Sequence, residues 1–307
     1  MLWCTSLNVK DIFLHTIQSN LLRQKCLKNS FFLNRPAIAG KIKPRNGLAK
    51  GVNLVLAQHS LSRTELLIGR QSLIRLRQQK VAVLGVGGVG SYCVEALARC
   101  GIGHLLLVDD DTVCLTNINR QLHATTKTLG LSKVEVMKGR VHDIDSQITV
   151  DARTFCIKPE NITDILDSSV DYVVDAIDTV SAKLAVIEYC HHHGIKVISC
   201  MGAGNKLDPT KFVVTDIYKT KTCPLARVMR KELRNRDIPR LKVVYSEEAP
   251  LKPLELEVTT CKRACICDDT DGRKCSEKRS IPASISFVPP VAGFILAGEV
   301  IKDLAEL

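Results

Sequence analysis

From Lys80 onward, short β-branched segments alternate with segments of helical periodicity, and this alternation constrains the fold more than any other feature. KVAVLG (80–85) and HLLLVD (104–109) are continuous apolar runs. The stretch between them places its apolar residues on one helix face: Val89, Cys93, Ala96, Leu97 and Cys100. Continuous apolar strands alternating with helices are typical of a parallel sheet covered on both faces. The pattern predicts an α/β fold, a Rossmann-like doubly wound and mostly parallel sheet with a C-terminal extension.

The same alternation continues to about residue 205. It predicts these further segments: helices at 132–144 and 181–194, and strands at 147–154, 171–178 and 196–202. Ser132 followed by Glu135 predicts a capping box at the start of the first of these helices. Later segments change character: FVVTDIY alternates, PLARVMRKELRNR is a basic helix, and VAGFILAGEVIKDL is an amphipathic helix. We expect this half to extend the same domain and to build the substrate side and a dimer face.

The net charge of +11 is concentrated in the first 50 residues, which hold nine Lys or Arg and one acid, and so carry +8. We therefore separate residues 1–56, as a basic extension, from a domain at 57–307. The extension fits a disordered tail, a mis-assigned start or a targeting segment. Within the domain we distinguish a cysteine-rich loop at 255–280 and a C-terminal helix at 289–304. A cytoplasmic location is expected, or a mitochondrial one if the extension directs import.

Thirteen cysteines are present, and most lie inside apolar patterns with no secretory segment before them. This usage indicates a reducing compartment with mostly free, buried thiols. No apolar run approaches the roughly 18 residues of a membrane span. Membrane association through the C-terminal helix stays open, since its small residues suit helix packing equally well.

A glycine-rich turn separates the first strand from its helix, and its glycines are Gly85, Gly87, Gly88 and Gly90. Such a turn lets the backbone approach a phosphate at a helix N-terminus. Asp109 follows at the end of the second strand, where an acid can bind ribose hydroxyls. These features predict a nucleotide site, but they serve NAD and ATP equally.

The stretch VDDDTVCLTNINRQ (108–121) supplies groups that a dinucleotide site does not need. Asn117 and Arg120 are spaced to return over the glycine turn, and Lys133 begins a helix whose side chains lean toward the same crevice. Asp178 ends the segment VVDAID at the same sheet edge. Two cations suit a polyphosphate, and the additional carboxylate suits Mg²⁺. Singly, Arg120 or Lys133 also fits a solvated charge, and Asp178 fits a helix N-cap.

GVGGVG, VDDDTVCLTNINRQ, GLSKVEV and DAIDT together resemble the superfamily of ubiquitin-activating, molybdopterin-synthase-adenylating and ThiF-type thiamine-thiazole adenylating enzymes. The resemblance covers about 61–307. It implies activation of a carboxylate by ATP to give an acyl-adenylate and pyrophosphate.

The superfamily resemblance also implies roles for individual residues. Asp109, with Asp111 beside it, would bind the ribose side of ATP. Three residues would hold the triphosphate and stabilise charge in the transition state: Asn117, Arg120 and Lys133. Asp178 would position Mg²⁺. Arg63, in LSRTELLIG, would reach the partner subunit's active site, which implies a homodimer.

Longer stretches resemble the subfamily of tRNA threonylcarbamoyladenosine dehydratases, among them SRTELLIG, CMGAGNKLDPTKFVVTDIYKT and PLARVMRKELR. This resemblance implies adenylation of the threonyl carboxylate on adenosine 37 of certain tRNAs, followed by ring closure with loss of AMP. It also makes a cysteine-desulfurase-type or redox protein a candidate partner.

Residues 219–242 hold nine Lys or Arg against two acids, which supports a tRNA contact. The candidate tRNA-binding residues lie on the basic helix: Arg227, Arg230, Lys231 and Arg234. A solvated charged helix face is the alternative. No series of aromatic residues accompanies the basic residues.

The sulfur-transferring relatives use two CxxC pairs for zinc, and this sequence has none. Four loop cysteines could still bind Zn²⁺, although their spacing is unusual: Cys261, Cys265, Cys267 and Cys275. Cys223 is a candidate nucleophile, although cyclisation of a carboxylate needs no thioester. Three functions follow in order of preference: a tRNA-modifying adenylating enzyme, an activator of a ubiquitin-like or sulfur-carrier protein, and an NAD-dependent oxidoreductase.

Overall fold

The computed structural model describes residues 59–254 and 282–307. The strands are β1 Lys80–Leu84, β2 His104–Val108, β3 Thr149–Arg153, β4 Tyr172–Asp175, β5 Lys196–Cys200, β6 Phe212–Asp216 and β7 Lys242–Ser246. The helices are α1 Ser62–Ile68, α2 Arg70–Gln78, α3 Gly90–Cys100, α4 Lys133–Ile144, α5 Ile162–Ile165, α6 Val180–His193, α7 Pro224–Arg234 and α8 Pro289–Ala305.

The strands form one sheet in the order β3-β2-β1-β4-β5-β7-β6. All neighbouring strands are parallel except β6 and β7, which are antiparallel. The mostly parallel, doubly wound sheet is therefore confirmed. The chain runs outward from β1 in one direction and from β4 in the other. The carboxyl ends of β1 and β4 thus flank the crevice where open α/β sheets bind ligands.

The core lies on both faces of the sheet, because the central strands are apolar along their whole length. Helix α8 packs closely on α3: a Cβ added at Gly293 would lie 2.3 Å from the carbonyl oxygen of Val89. Ala292 and Leu296 of α8 are fully buried. The small residues of this helix therefore serve packing. Within 59–254 and 282–307, no helix has the length and apolar character needed to cross a membrane.

Several local predictions differ from the structure. Strand β4 ends at Asp175, so Asp178 follows the strand by three residues. Helix α4 begins at Lys133 with Ser132 as N-cap, but the predicted capping box is absent and the Ser132 hydroxyl lies 2.9 Å from the Thr154 hydroxyl. The segments that form α1, α2 and β7 carried no predicted element. The boundary at 56/57 stays a prediction, and the cysteine-rich loop at 255–280 lies outside the described residues.

Candidate nucleotide site

The glycine turn between β1 and α3 is shaped by contacts that exclude side chains. Gly85 has a φ of +87°, and a Cβ there would lie 2.7 Å from the carbonyl oxygen of Ala176. A Cβ at Gly90 would lie 1.8 Å from the carbonyl oxygen of Gly85. These two positions therefore need glycine for the turn itself. Gly87 and Gly88 face the segment that carries the polar residues, as described below.

Asp109 ties the end of β2 to the glycine turn. Its Oδ2 accepts a hydrogen bond from the Val86 backbone N–H at 2.6 Å, and its Oδ1 accepts one from the Asp111 N–H at 2.9 Å. The carboxylate therefore orients the turn, a task that the sequence pattern did not indicate. Its predicted contact with ribose stays a prediction.

Lys133 lies at the start of α4 with a side chain that is almost fully buried. Its Nζ lies 2.5 Å from Asp111 Oδ2 and 3.7 Å from Asp109 Oδ1. Burial alone would lower the pKa of the ammonium, but the carboxylates of Asp109, Asp111 and Asp178 outweigh burial and raise this pKa above its usual range. The residue is therefore a fixed cation beside the turn, and a solvated charge is the wrong interpretation.

The segment after β2 returns over the glycine turn. A Cβ at Gly88 would lie 3.3 Å from Arg120 Cγ, so the stem of the arginine lies against this glycine. Arg120 is half-buried and its Nη1 donates to the Thr116 carbonyl oxygen at 3.0 Å. Burial lowers the pKa of this guanidinium. Asn117 is buried, and its Oδ1 accepts from the Cys114 N–H at 3.0 Å.

Two residues of the same segment were not assigned a role by sequence reasoning. Gln121 Oε1 is buried without a hydrogen-bond partner, and its Nε2 lies 3.8 Å from the position of a Cβ on Gly87. His123 is 3% exposed, and neither of its ring nitrogens has a partner. Buried polar atoms normally have partners. An unpaired amide beside a glycine turn fits a site completed by a polar ligand, and adjacency to Arg120 was the available sequence signal.

Asp178 is exposed at the same sheet edge, close enough to Lys133 to affect its pKa. The N-cap of α6 is Thr179, so the N-cap interpretation of Asp178 is wrong. Among the described residues, carboxylate oxygens within 4.8 Å of one another are also offered by the group Asp109, Asp110 and Asp111. The donor chemistry of this edge suits a divalent cation held together with phosphate oxygens.

The remaining predicted residues lie away from the turn. Arg63 is exposed on α1, next to Leu66 and Leu67, which are 88% and 85% exposed. Cys223, the candidate nucleophile, is buried at the N-cap of α7. The four cysteines proposed for Zn²⁺ lie outside the described residues.

The four basic residues of α7 are not equivalent. Arg227 and Lys231 are exposed, while Ala226 and Met229 on the opposite face are fully buried. Arg230 is partly buried and its Nη1 donates to the Thr220 carbonyl oxygen at 2.9 Å. The predicted tRNA contact of Arg230 needs correction, because its guanidinium holds the preceding loop.

Arg234 is exposed at the end of α7, and its guanidinium carbon lies 5.2 Å from the ring centroid of Tyr218. This cation–π contact restricts the side chain while leaving it on the surface. The exposed basic face of α7 therefore consists of Arg227, Lys231 and Arg234.

A glycine turn bordered by buried cations and by carboxylates defines a nucleotide site of the kind found in adenylating enzymes. In agreement, the ThiF family model matches residues 61–306, and the chain belongs to the ThiF family. Within that family the chain is similar to a tRNA threonylcarbamoyladenosine dehydratase of Bacillus subtilis. The two are 43% identical over 250 residues, which is 80% of this chain and 94% of the relative.

Solved structures agree with this assignment. The crystal structure of the Escherichia coli tRNA N6-threonylcarbamoyladenosine dehydratase TcdA in complex with ATP superposes with a TM-score of 0.69 at 32% identity, covering 80% of this chain and 94% of that chain. A MOCS3 adenylyltransferase and sulfurtransferase of Culex quinquefasciatus is 34% identical, but over only 48% of this chain and 33% of the relative. The predicted superfamily and the narrower resemblance to the dehydratases are both confirmed.

Proposed function

We propose that this protein is an ATP-dependent tRNA threonylcarbamoyladenosine dehydratase. One observation carries the proposal: Lys133 and Arg120 lie at the glycine turn of a chain that is similar to dehydratases over nearly their whole length. ATP binding is supported by the complex of the Escherichia coli relative with ATP. The reaction adenylates the threonyl carboxylate of the modified adenosine at tRNA position 37 and then closes a ring.

The proposed chemistry follows from charge. Attack of a carboxylate on the α-phosphorus brings two anions together, and fixed cations lower the barrier. Lys133 stays charged because carboxylates surround it, and Arg120 stays charged because an arginine keeps its proton at neutral pH. Asn117 and Gln121 supply neutral hydrogen-bonding groups. Pyrophosphate leaves in the first step; in the second, the carbamoyl group attacks the acyl carbon, loses a proton and displaces AMP.

The remaining predictions belong to the same proposal. Mg²⁺, held by Asp178 and the phosphates, would neutralise charge on the leaving pyrophosphate. A homodimer would bring Arg63 to the partner's site. A Zn²⁺ ion on the four loop cysteines, a cysteine-desulfurase-type or redox partner, membrane association, and a cytoplasmic or mitochondrial location stay predictions that rest on the sequence.

The second candidate function is activation of a ubiquitin-like or sulfur-carrier protein by the same adenylation step. Relatives of that kind match only about half of this chain. The sequence also lacks the CxxC pairs of the sulfur-transferring enzymes. An NAD-dependent oxidoreductase is less favoured, because two buried or half-buried cations beside the glycine turn suit a triphosphate better than a nicotinamide ring.

The first test of the function is a direct assay. The protein is incubated with ATP, Mg²⁺ and tRNA that carries threonylcarbamoyladenosine, and the digested nucleosides are analysed by mass spectrometry. We expect a nucleoside lighter by one water, formed only with ATP. Arg120→Ala should lower the rate by at least about a hundredfold, because the variant removes a cation that stabilises the transition state.

Arg99→Ala is the matched control. This arginine lies in the last turn of α3, at the end remote from the glycine turn, and it should leave the rate near that of the unaltered protein. Formation of AMP without any change in the tRNA would favour a carrier protein as the substrate. Binding of NAD in place of ATP would overturn the adenylating function.

A further inference from the structure

A buried ion pair lies behind the nucleotide site, and the proposed chemistry does not use it. Lys183 and Asp175 are both fully buried, and Lys183 Nζ lies 2.9 Å from Asp175 Oδ2. Replacing such a pair by apolar residues is often neutral or stabilising, because desolvation offsets the attraction between the charges. Stability alone therefore gives a poor account of two charges at this position.

The ion pair holds both backbone polar groups of one residue, Ile177. Asp175 Oδ1 accepts a hydrogen bond from the Ile177 N–H at 3.1 Å, and Lys183 Nζ donates to the Ile177 carbonyl oxygen at 3.0 Å. Ser199 Oγ donates to Asp175 Oδ2 at 2.5 Å and so orients the carboxylate. The peptide groups on either side of Ile177 are thereby fixed, and Asp178 is the next residue.

The segment that is held in this way touches the glycine turn. The Ala176 N–H donates to the Leu84 carbonyl oxygen at 2.8 Å, and the Ala176 carbonyl oxygen is the atom that a Cβ on Gly85 would meet. On its other side the segment presents Asp178 toward Lys133. A displacement of Ile177 would therefore move Asp178 relative to both the turn and the lysine.

We infer that Lys183 and Asp175 are positioning residues, which act through Ile177 to place Asp178 for binding of ATP with Mg²⁺. The inference rests on the proposed function for the role of Asp178. Neither charge can touch a ligand, since both are fully enclosed. Their effect is instead transmitted by the hydrogen bonds to the Ile177 peptide groups, in the way that partners of a ligand-holding residue orient it.

The test measures the affinity of the full chain for ATP by calorimetry, with and without Mg²⁺. The pair variant Lys183→Met/Asp175→Leu removes both charges and leaves no unpaired ion in the core. We expect it to weaken the binding of ATP with Mg²⁺ about ten- to hundredfold, with a smaller effect when Mg²⁺ is absent. Asp178→Asn should act in the same direction. The combined triple variant should bind no more weakly than the weaker-binding parent, because the two changes share one route.

Lys242→Met is the matched control. Lys242 forms a partly buried ion pair with Asp303, but it begins β7 at the opposite edge of the sheet. It should bind ATP like the unaltered protein. An unchanged affinity in the pair variant, or affinity changes that multiply in the triple variant, would overturn the inference.

Asp175→Asn serves if the pair variant fails to fold, since asparagine keeps an acceptor for the Ile177 N–H and removes the charge. The same comparison with Asp178→Asn then decides. ATP binding is independent of the tRNA reaction. If the affinities follow the expected pattern while no tRNA product forms, the proposed function fails and the positioning role stands.

Discussion

His123 shows how the site uses a buried group without a charge. Burial and the neighbouring Lys133 ammonium lower its pKa to about 4, so the imidazole is neutral at pH 7. A neutral imidazole beside the lysine adds no positive charge to the cations that face the phosphates. It also leaves both ring nitrogens available to a ligand or a water, which is the reverse of the usual paired state of a buried polar group.

The lowered pKa of His123 predicts a pH-dependent stability. Between its unfolded pKa of 6.5 and its folded pKa of about 4, the unfolded chain takes up a proton that the folded chain does not. The free energy of unfolding should therefore fall by roughly 2 kcal/mol from pH 7 to pH 5 through this residue, and the decrease should level off below pH ~4. Denaturant unfolding at several pH values measures it.

His123→Leu should remove this contribution, while the exposed His192→Leu should keep it. A variant His123→Leu that is destabilised as much as the unaltered chain between pH 7 and pH 5 would contradict the assignment. The comparison is restricted to this pH window, since carboxylates dominate the acid range below it.

At the scale of one element, α7 combines two tasks on a single helix. Its apolar face packs into a core cluster with residues of β5, α6 and β7, and its opposite face carries Arg227, Lys231 and Arg234. The helix is 11 residues long, so this face extends about 16 Å. That length suits several successive phosphates of a nucleic acid backbone. Arg230, between the two faces, holds Thr220.

Replacement of the exposed cations should therefore weaken tRNA binding in a salt-dependent way. For Arg227→Ala and Lys231→Ala we expect a higher Kd, and a slope of log Kd against log salt that is smaller by about 1 for each phosphate that the variant no longer neutralises. Filter binding across a salt series measures both. Arg230→Ala should leave the slope unchanged and lower the melting temperature, because this residue anchors a loop.

Lys158→Ala supplies the control for nonspecific charge, since this exposed lysine lies on the segment after β3. An equal decrease of slope in Lys158→Ala and Lys231→Ala would show that tRNA does not follow α7. The interpretation of α7 as a merely solvated face would then be preferred.

At the scale of the whole molecule, the proposed homodimer would complete each site with Arg63 of the other subunit. Leu66 and Leu67 beside it are almost fully exposed in the single chain, and exposed apolar side chains at adjacent positions mark a surface that association would cover. This arrangement predicts that two inactive variants can restore each other.

Arg63→Ala and Arg120→Ala are each expected to be inactive. After mixing under conditions that exchange subunits, half of the dimers are mixed, and one of their two sites has both arginines intact. Activity should therefore return to about a quarter of the unaltered level. Each variant mixed with itself is the control. Absence of recovery, with exchange shown by mass spectrometry of differently labelled subunits, would remove Arg63 from the site.

Local patterns determined much of this protein. Alternating apolar segments predicted the parallel strands, because burial on both faces leaves no polar positions in a central strand. The glycine spacing predicted the turn, because Gly85 and Gly90 occupy positions where any Cβ would collide with backbone. The residue types at the strand ends, above all Lys133 and Arg120, indicated a triphosphate, because charges at a sheet edge need a ligand or a partner.

Only the tertiary structure decided which groups hold one another. The bonds of Lys183 and Asp175 to Ile177, the orphan atoms of Gln121 and His123, and the engagement of Arg230 with Thr220 join positions that no local period relates. Such contacts depend on the strand order and on the packing of helices across it. The sequence therefore contained the residues of the site, and long-range packing set which of them face a ligand and which support the others.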